Sequence, residues 1–588
     1  MRISLIGAEL EENLGLRYIA SALEHNGHSV DIVPFNSEND TLHAITQTIS
    51  FAPDLTGLSM VFTSRAREFC NLAMALREGG YSGHINAGGH FASLNCRRLL
   101  QDFPAFNSVA LGEGEYILCA LADHLDDVSQ VDGLCYRQNN GLVLINPSTC
   151  NPENLDALSF PKRTTFHEYF DKPIASILSS RGCWRNCAFC SINAWYKQGG
   201  GKKFRIRSVE NLLDEMKVLY FQHGIRIFNF QDDNFFLPNP EDAIHRFEAL
   251  RAGLQHEGMQ NIAMAVKARP DSVTSDSIRV LNDLGLFRVF LGVENASENG
   301  LRNLNRKCTI DQILNALKIL NDFDMHIAYN MLMFEPDTVM DDILINLRFI
   351  ERHTDNPFNF CRAEAYAGTG LEAKLLAENR LLGDYFGFDY RLKDARSEAF
   401  HQIANYAFFD RNFSDYGLHY FNMQVDFYFQ LLRRFYPEVL SQTLRASVRN
   451  FIKQTNLDTY QHLCQIYDFV TVVDSSNRTV ISRFAREMRE QVDERSMELY
   501  AQGESILRWL NDAYEHRDTN GSMLRSKYTA EIPFLGCKLV PYRGLDNIGE
   551  LKFLVPISKT TDKEYLFGIE QSAIPYTIFK CQIGQQKE

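Results

Sequence analysis

The sequence lacks a long hydrophobic run, a leader-like start and an excess of positive charge. No segment approaches the roughly 18–20 consecutive apolar residues that a membrane helix needs. The opening MRISLIGAEL has neither the basic region nor the longer apolar region of a signal peptide. Its 60 Lys and Arg stand against 74 Asp and Glu, a net charge of −14, which argues against non-specific binding to nucleic-acid phosphates. We therefore expect a soluble, cytoplasmic protein that binds no membrane and no nucleic acid.

The cysteines do not form the pattern of a disulfide framework. There are 13 of them, an odd number, in a chain of 588 residues without a secretion signal. Ten stand singly, as small buried hydrophobes do. The other three, Cys183, Cys187 and Cys190, are clustered and indicate where function lies. The length predicts three or four domains.

The first 150 residues alternate between strand and helix patterns. Strands are predicted at 3–7, 28–34, 55–62, 85–87 and 109–111. Such alternation is typical of an α/β fold with a parallel sheet that binds ligands at the carboxyl ends of its strands. We predict a doubly wound, Rossmann-like domain over residues 1–150.

The alternation restarts near residue 172 and stops near 390. Strands are predicted at 174–178, 225–230, 262–266, 287–293, 327–334 and 358–366. Six β/α units suit a partial (β/α)6 barrel over 165–390, with its chemistry at the strand carboxyl ends. We expect residues 391–588 to be mainly helical, with helices over 420–436 and 481–510 and possible strands at 553–555 and 565–569. That last third carries no recognisable motif.

The clustered cysteines follow the first predicted barrel strand. Their spacing is C-x3-C-x2-C, which lets three thiolates hold three irons of a [4Fe–4S] cube and leaves the fourth iron open. Two alternatives are open. A structural zinc site would need a fourth ligand, and no CxxC or paired His stands nearby. Three buried thiols could also fall together by chance.

This spacing, with Phe189 just before the last cysteine, resembles the radical S-adenosylmethionine (SAM) superfamily. The resemblance implies that SAM chelates the open iron and is cleaved to a 5′-deoxyadenosyl radical, a reaction that favours a closed, dry barrel mouth. It also implies SAM contacts for Asp232 and Asp233, where many members have Gly-Gly-Glu, and for Glu294 after the fourth strand. Alternatively, the two aspartates cap the next segment or bind an arginine.

The N-terminal domain resembles the cobalamin-binding domain that precedes some radical SAM barrels. The resemblance rests on Asn13-Leu14-Gly15-Leu16, on the strand end at Ser59 and on two glycine-bearing turns. It implies cobalamin contacts from Ser59, Phe62, Thr63, Arg65, Gly88, Gly89, His90, Gly112 and Gly114. The Asp-x-His-x-x-Gly motif that ligates cobalt elsewhere is absent after strand one. Plain loop packing, or a domain that has lost cobalamin, are the alternatives.

Together the resemblances imply a cobalamin-dependent radical SAM enzyme that methylates an unactivated carbon of a small molecule or peptide in specialised metabolism. One SAM would supply the methyl group and a second the radical, with electrons from a donor such as flavodoxin or ferredoxin. The catalytic residues are not predicted. The alternatives are a cobalamin-dependent radical cyclase or ring-rearranging oxidoreductase, a polar methylase that cleaves no SAM to a radical, and an iron–sulfur or cobalamin-binding sensor.

Overall fold

The computed structural model describes residues 1–138, 140–147, 151–414 and 417–518. The strands predicted at 553–555 and 565–569 lie outside these residues. The chain divides into two compact units. Among the described residues, the first comprises Met1–Thr338, Phe360–Arg391 and Phe427–Pro437, and the second comprises Val339–Asn359, Leu392–Asp426 and residues 438–518. Among the described helices, none is long and apolar enough to cross a membrane.

The N-terminal part of the first unit is a seven-stranded sheet, sheet A. Its strands are β1 (Arg2–Gly7), β2 (Ser29–Pro34), β3 (Leu55–Ser59), β4 (His84–Gly88), β5 (Ser108–Ala110), β6 (Leu134–Arg137) and β7 (Val143–Ile145). Their spatial order is β2-β1-β3-β4-β5-β6-β7. The first five pair in parallel, and β6 and β7 add an antiparallel edge. The predicted doubly wound α/β fold is confirmed.

Helices alternate with these strands because their apolar residues recur at helical spacing. They are α1 (Leu14–His25), α2 (Thr41–Phe51), α3 (Ala66–Glu78), α4 (His90–Leu94), α5 (Cys96–Asp102) and α6 (Gly114–Asp123). Helix α1 begins where the Asn13 side chain accepts a hydrogen bond from the Leu16 N–H. One apolar cluster includes Phe69 and Leu76 of α3, and another includes Leu23 of α1 and Ile117 of α6. Each strand of the parallel core is therefore buried between helices.

Strand β3 is shorter than the sequence predicts. It ends at Ser59 rather than at 62, and the Met60 N–H makes one last backbone hydrogen bond of 2.7 Å to the Gly88 carbonyl. Phe62 is then 64% exposed, and Thr63–Arg65 forms a single 3-10 turn that leads into α3. The strand ends early because the chain must turn before helix α3 begins. The apolar residues continue into that turn, so the sequence pattern does not mark the end of the strand.

The second part of the first unit is built on sheet B. Its strands are β8 (His167–Tyr169), β9 (Lys172–Ile177), β12 (Ile227–Phe230), β13 (Ala263–Ala268), β14 (Leu286–Leu291), β15 (His326–Phe334) and β16 (Phe358–Arg362). A separate ribbon pairs β10 (Ser180–Gly182) with β11 (Phe204–Ile206), and another pairs β17 (Leu382–Asp384) with β18 (Gly387–Asp389). The order β16-β15-β14-β13-β12-β9-β8 confirms the six predicted strands and adds an antiparallel edge strand, β8.

Helices separate the strands of sheet B along the chain, and longer helices follow it. They are α7 (Ser191–Gln198), α8 (Val209–Gln222), α9 (Pro240–His256), α10 (Ser275–Asp283), α11 (Glu298–Asn303), α12 (Ile310–Asp322), α13 (Met340–Arg352), α14 (Gly370–Ala377), α15 (Ala395–Ala407), α16 (Phe409–Phe413), α17 (Leu418–Phe435), α18 (Gln442–Val472) and α19 (Arg478–Glu515). The two helices predicted beyond 390 are α17 and part of α19. The expected partial barrel, which the structure forms as a curled half-barrel, and the expected helical C-terminal region are confirmed for the described residues.

Candidate functional site

A cleft lies in the first unit, where the carboxyl ends of strands from sheets A and B meet. Its free volume is about 1140 Å³ with its open mouth included. Among the predicted site residues it is lined by Ser59, Gly88, Gly89, His90, Gly112, Gly114 and Asp233. Residues of sheet A were expected to contact one ligand and Asp233 another, and the fold brings both groups to one cavity.

Glycine shapes the wall of this cleft on the side of sheet A. A Cβ added at Gly88 would meet only the Ala110 Cβ, at 4.0 Å, so it would project into open space. Gly112 has φ +95°, and a Cβ there would lie 2.8 Å from the Gly199 Cα. At position 112 packing therefore requires glycine, whereas at position 88 glycine leaves room for a bulky ligand. This fits the close approach that a corrin ring needs.

Three predicted contacts, Phe62, Thr63 and Arg65, do not line the cleft. Because β3 ends at Ser59, the following turn carries them away from it. Arg65 donates hydrogen bonds to the Glu68 carboxylate and the Phe35 carbonyl. Its guanidinium also stacks on the Phe35 ring, so it is already engaged within the protein.

His90 lies in the cleft as an uncharged imidazole. Burial lowers its pKa to about 4. Its ring packs edge-on against Trp195, with centroids 4.4 Å apart. Trp195 is held in turn by a hydrogen bond of 3.3 Å from its Nε1 to the Ser93 Oγ. Sequence reasoning missed Trp195, which lies five residues after the last clustered cysteine and carried no motif.

The three clustered cysteines lie in a loop between β10 and α7. Cys187 is buried, and Cys183 and Cys190 are partly exposed. The loop is pinned by backbone hydrogen bonds from the Ala188 N–H to the Leu304 carbonyl, 2.9 Å, and from the Leu371 N–H to the Ala188 carbonyl, 2.8 Å. Burial raises the pKa of the Cys190 thiol to about 12. Phe189, which lies between Cys187 and Cys190 in the sequence, is half-buried.

Two guanidinium groups meet the Cys187 sulfur. Nη1 of Arg306 lies 3.3 Å from the Cys187 Sγ, and Nη1 of Arg269 lies 3.5 Å from it. Arg269 is oriented by Asp271, 2.9 Å from its Nε. Two cations at one buried sulfur fit a thiolate that carries negative charge, as an iron-bound thiolate does. The sequence pattern predicts no role for Arg269 or Arg306.

The three thiols are not gathered around a single point. Among the described residues, no group of three His, Cys, Asp or Glu side chains could hold one metal ion. A [4Fe–4S] cube does not require such a group, because each cysteine binds a different iron. The donor set of three soft thiolates in one short loop fits a cube better than zinc, which needs four convergent ligands.

The neighbouring Asp232 and Asp233 have different environments. Asp232 is fully buried and accepts hydrogen bonds from the Ser179 N–H and from the hydroxyls of Ser179 and Ser180. It therefore ties the end of β12 to the segment after β9, and its carboxylate is not available to a ligand. Asp233 accepts one bond, 3.1 Å from the Gly182 N–H, and burial raises its pKa to about 6. Of the two predicted SAM contacts, only Asp233 lines the cleft.

Glu294 has a left-handed backbone. Its φ is +64°, an uncommon value for a residue with a long side chain, and its N–H bonds to the Asn330 carbonyl at 3.0 Å. Its Oε1 lies 3.9 Å from Nη2 of Arg306, and burial raises its pKa. Arg306 therefore connects Glu294 to Cys187. Strained backbone at a strand end is a feature of functional sites.

Buried ion pairs join the two parts of the first unit beside the cleft. Arg181 pairs with Glu115 at 2.6 Å, and Arg205 pairs with Glu113 through bonds of 2.6 and 3.0 Å. All four side chains are at least nine-tenths buried. The sequence alone assigns no role to Glu113 and Glu115, because their partners are far away in the chain.

Comparisons with known families agree with this arrangement. Residues 8–122 match the family described as B12 binding domain, and residues 177–347 match the radical SAM superfamily. An uncharacterised methyltransferase of Pyrococcus horikoshii is 26% identical over 377 residues, which cover 63% of this chain and 79% of the relative.

Two solved structures have the same fold. The cobalamin-dependent SAM radical enzyme OxsB, with aqua-cobalamin and SAM bound, superposes with a TM-score of 0.61 at 17% identity and covers 88% of this chain and 81% of that one. TsrM, a radical SAM methyltransferase from Kitasatospora setae with cobalamin and a [4Fe–4S] cluster bound, superposes with a TM-score of 0.54 at 16% identity. The match covers 64% of this chain and 75% of that one. The chain thus matches a B12 binding domain followed by the radical SAM superfamily, and its fold is similar to that of these two cobalamin-binding radical SAM proteins.

Proposed function

We propose that the protein is a cobalamin-dependent radical SAM C-methyltransferase acting on an unactivated carbon of a small-molecule or peptide substrate. The observation that carries the proposal is the shared cleft. It is lined from sheet A by Ser59 and Gly88, and from sheet B by Gln231 and Asp233. A substrate held there would lie between the two cofactors, as transfer of a methyl group to a carbon radical requires.

Each group of residues has a proposed task. Cys183, Cys187 and Cys190 hold the [4Fe–4S] cluster, with Arg269 and Arg306 balancing its charge. Asp233, Glu294 and Phe189 contact SAM. Ser59, His90 and the glycines at 88, 89, 112 and 114 hold cobalamin. When bound, these cofactors supply an electron for SAM cleavage and a carrier for the methyl group.

The protein's own residues keep the site closed and ordered. The aromatic pair of His90 and Trp195 covers one wall of the cleft, and the buried ion pairs of Arg181 and Arg205 fix the two sheets relative to each other. Such closure protects a carbon radical from water. We propose that the enzyme works in the cytoplasm, with a flavodoxin or ferredoxin as its electron donor.

The proposal can be tested without knowing the substrate. Anaerobically reconstituted protein is reduced in the presence of SAM, and S-adenosylhomocysteine and 5′-deoxyadenosine are counted. A radical methylase forms both, because it uses SAM as methyl donor and as radical source. Only 5′-deoxyadenosine would instead indicate a cyclase or rearranging oxidoreductase. Only S-adenosylhomocysteine would indicate polar methylation, and neither product would indicate a sensor.

A further inference from the structure

A row of polar side chains crosses the inner face of sheet B, below the cleft. Strand register places five residues side by side: Ser176, Asn229, Ala265, Arg288 and His326. The interior of a barrel of this kind is ordinarily filled by layers of branched apolar side chains. Four of these five residues carry a hydroxyl, an amide, a guanidinium or an imidazole. The lumen is therefore built to meet polar groups.

Arg288 is the charged member of that row. Its neighbours Val289 and Leu291 are fully buried on the opposite face of β14, so alternation directs Arg288 into the lumen. Its Nε is buried without a hydrogen-bond partner. Within the described residues, its guanidinium also makes no hydrogen bond or ion pair through its other nitrogens. Its Cζ lies 5.5 Å from the centroid of the Phe427 ring.

The surroundings of Arg288 are aromatic on one side and polar on the other. Phe427 packs against Tyr169 and Phe287, with ring centroids 5.2 and 5.3 Å away. The carboxylate of Glu11 is the anionic group that most strongly favours the charged form of Arg288. It forms no ion pair with the guanidinium in the described structure.

The other side of Arg288 leads to the cleft. Lys267 shares the inner face of the sheet, two residues further along the neighbouring strand than Ala265, the residue paired with Arg288. That separation is roughly 6–7 Å. The Lys267 Nζ lies 3.4 Å from Oε1 of Gln231, which lines the cleft. Two cations therefore follow one another from the cleft into the barrel.

The Arg288 side chain is half-buried and its Nε is buried without a hydrogen-bond partner. Desolvation of a charged group is unfavourable where hydrogen bonds do not offset it. Such a group persists where a ligand supplies the missing partner. The planar fork of a guanidinium matches the two oxygens of a carboxylate or phosphoryl group better than any other side chain does. Arg288 therefore has the chemistry of an oxyanion-binding residue whose oxyanion is not part of the protein.

We propose that Arg288, with Lys267 above it, binds an oxyanion of the substrate, a carboxylate or a phosphoryl group that enters the barrel from the cleft. This inference rests on the proposed function, since it names the substrate class of the same site. Arg288 is then a positioning residue. It holds the far end of the substrate and keeps the reacting carbon at the cleft.

The test is an anion titration of the unreduced, full-length protein loaded with its cluster, hydroxocobalamin and SAM, so that the anion sites of the cofactors are already filled. Inorganic phosphate and acetate are the probes, with chloride at equal ionic strength as reference. The thermal midpoint is followed for wild type, Arg288→Met and Arg279→Gln. Arg279 is an exposed arginine of α10 and serves as the matched control. A ligand of the native state raises the midpoint saturably.

We expect one probe to stabilise wild type and Arg279→Gln saturably, and its apparent Kd to rise at least tenfold in Arg288→Met. A response to phosphate indicates a phosphoryl substrate, and a response to acetate a carboxylate. Without added anion, Arg288→Met should unfold no earlier than wild type, because it loses an unpartnered charge. Equal titrations in all three proteins would overturn the proposal. So would a lower midpoint, failure to fold, or weaker SAM binding in Arg288→Met.

The titration involves no turnover. A protein that binds the anion through Arg288 but forms no S-adenosylhomocysteine would refute methyl transfer while leaving the anion site standing. A protein that forms S-adenosylhomocysteine but does not bind the anion through Arg288 would refute the anion site alone.

Discussion

Arg306 donates from Nη1 to the Cys187 Sγ at 3.3 Å, and the same guanidinium faces the Glu294 Oε1 at 3.9 Å. One side chain thus connects a proposed cluster ligand with a proposed SAM contact. Since Cys187 is on the cysteine loop and Glu294 follows the fourth barrel strand, neither position alone suggests the connection.

We predict that Arg306→Leu lowers the midpoint potential of the cluster. Reduction adds negative charge beside Cys187, and the lost hydrogen bond to a charged group is worth about 1.5–3 kcal/mol in total. If a third to a half of that depends on the redox state, the shift is on the order of 50 mV. An EPR-monitored redox titration measures it, with the exposed Arg302→Leu on α11 as control. Identical potentials in all three proteins would contradict this role.

The two adjacent aspartates should give opposite results. Asp232→Asn removes a carboxylate that accepts three hydrogen bonds in the interior, so we expect a loss of about 1–3 kcal/mol in unfolding free energy. Asp233→Asn keeps an acceptor for the Gly182 N–H, so its stability should hold while SAM binds roughly tenfold more weakly. Denaturant unfolding and calorimetric titration with SAM separate the two. Equal effects of both variants on SAM affinity would refute the assignment.

Gly88 offers a test of the cobalamin wall. A Cβ there meets only Ala110, at 4.0 Å, so Gly88→Val should leave stability within about 1 kcal/mol of wild type while filling the cleft. We expect hydroxocobalamin to pass free of this variant on gel filtration and to remain with wild type. Ser29→Val, at an exposed position of β2, is the control. Full retention by Gly88→Val would place the corrin elsewhere.

The second unit carries a pH dependence of its own. Burial lowers the pKa of His419 to about 4, and its Nδ1 is 3.1 Å from the Phe358 carbonyl oxygen. The unfolded state binds a proton near pH 6.5 and the folded state does not. The contribution of uncharged His419 to the free energy of unfolding is therefore present above pH 6.5 and declines as the pH falls toward 4. Between pH 7 and 5.5 the loss is about 1 kcal/mol.

His419→Gln should remove that part of the slope, because glutamine keeps a donor for the carbonyl and does not titrate. Unfolding free energies at the two pH values measure it, with the exposed His43→Gln as control. An unchanged slope in His419→Gln would show that another group causes the pH dependence.

The sequence predicted the parts of the fold that depend on local pattern. Alternating strands and helices gave both sheets, and all six predicted barrel strands are present with ends shifted by up to four residues. The predicted end of β3 was wrong because apolar residues continue to Phe62, whereas the strand ends at Ser59 and Phe62 is exposed. The hairpin of β6 and β7 was missed because its strands are short and no parallel crossover precedes them.

Within the candidate site, spacing predicted the cysteine loop, and the family resemblances predicted the glycine turns and Asp233, whose residues line the cleft. The sequence could not identify Arg269, Arg306 or Trp195, because these reach the site only through packing between distant segments. It also could not separate Asp232 from Asp233. Adjacent residues at a strand end point in opposite directions. Only the hydroxyls of Ser179 and Ser180 show that the carboxylate of Asp232, and not that of Asp233, is taken up by hydrogen bonds within the protein.

Iron and acid-labile sulfide analysis of oxygen-free preparations tests the central claim most directly. We predict about four irons and four sulfides per wild-type chain and per Cys119→Ala control, and close to none in the Cys183→Ala/Cys187→Ala/Cys190→Ala variant, which should also cleave no SAM. A wild-type protein without either element, or a triple variant that keeps both, would contradict the account.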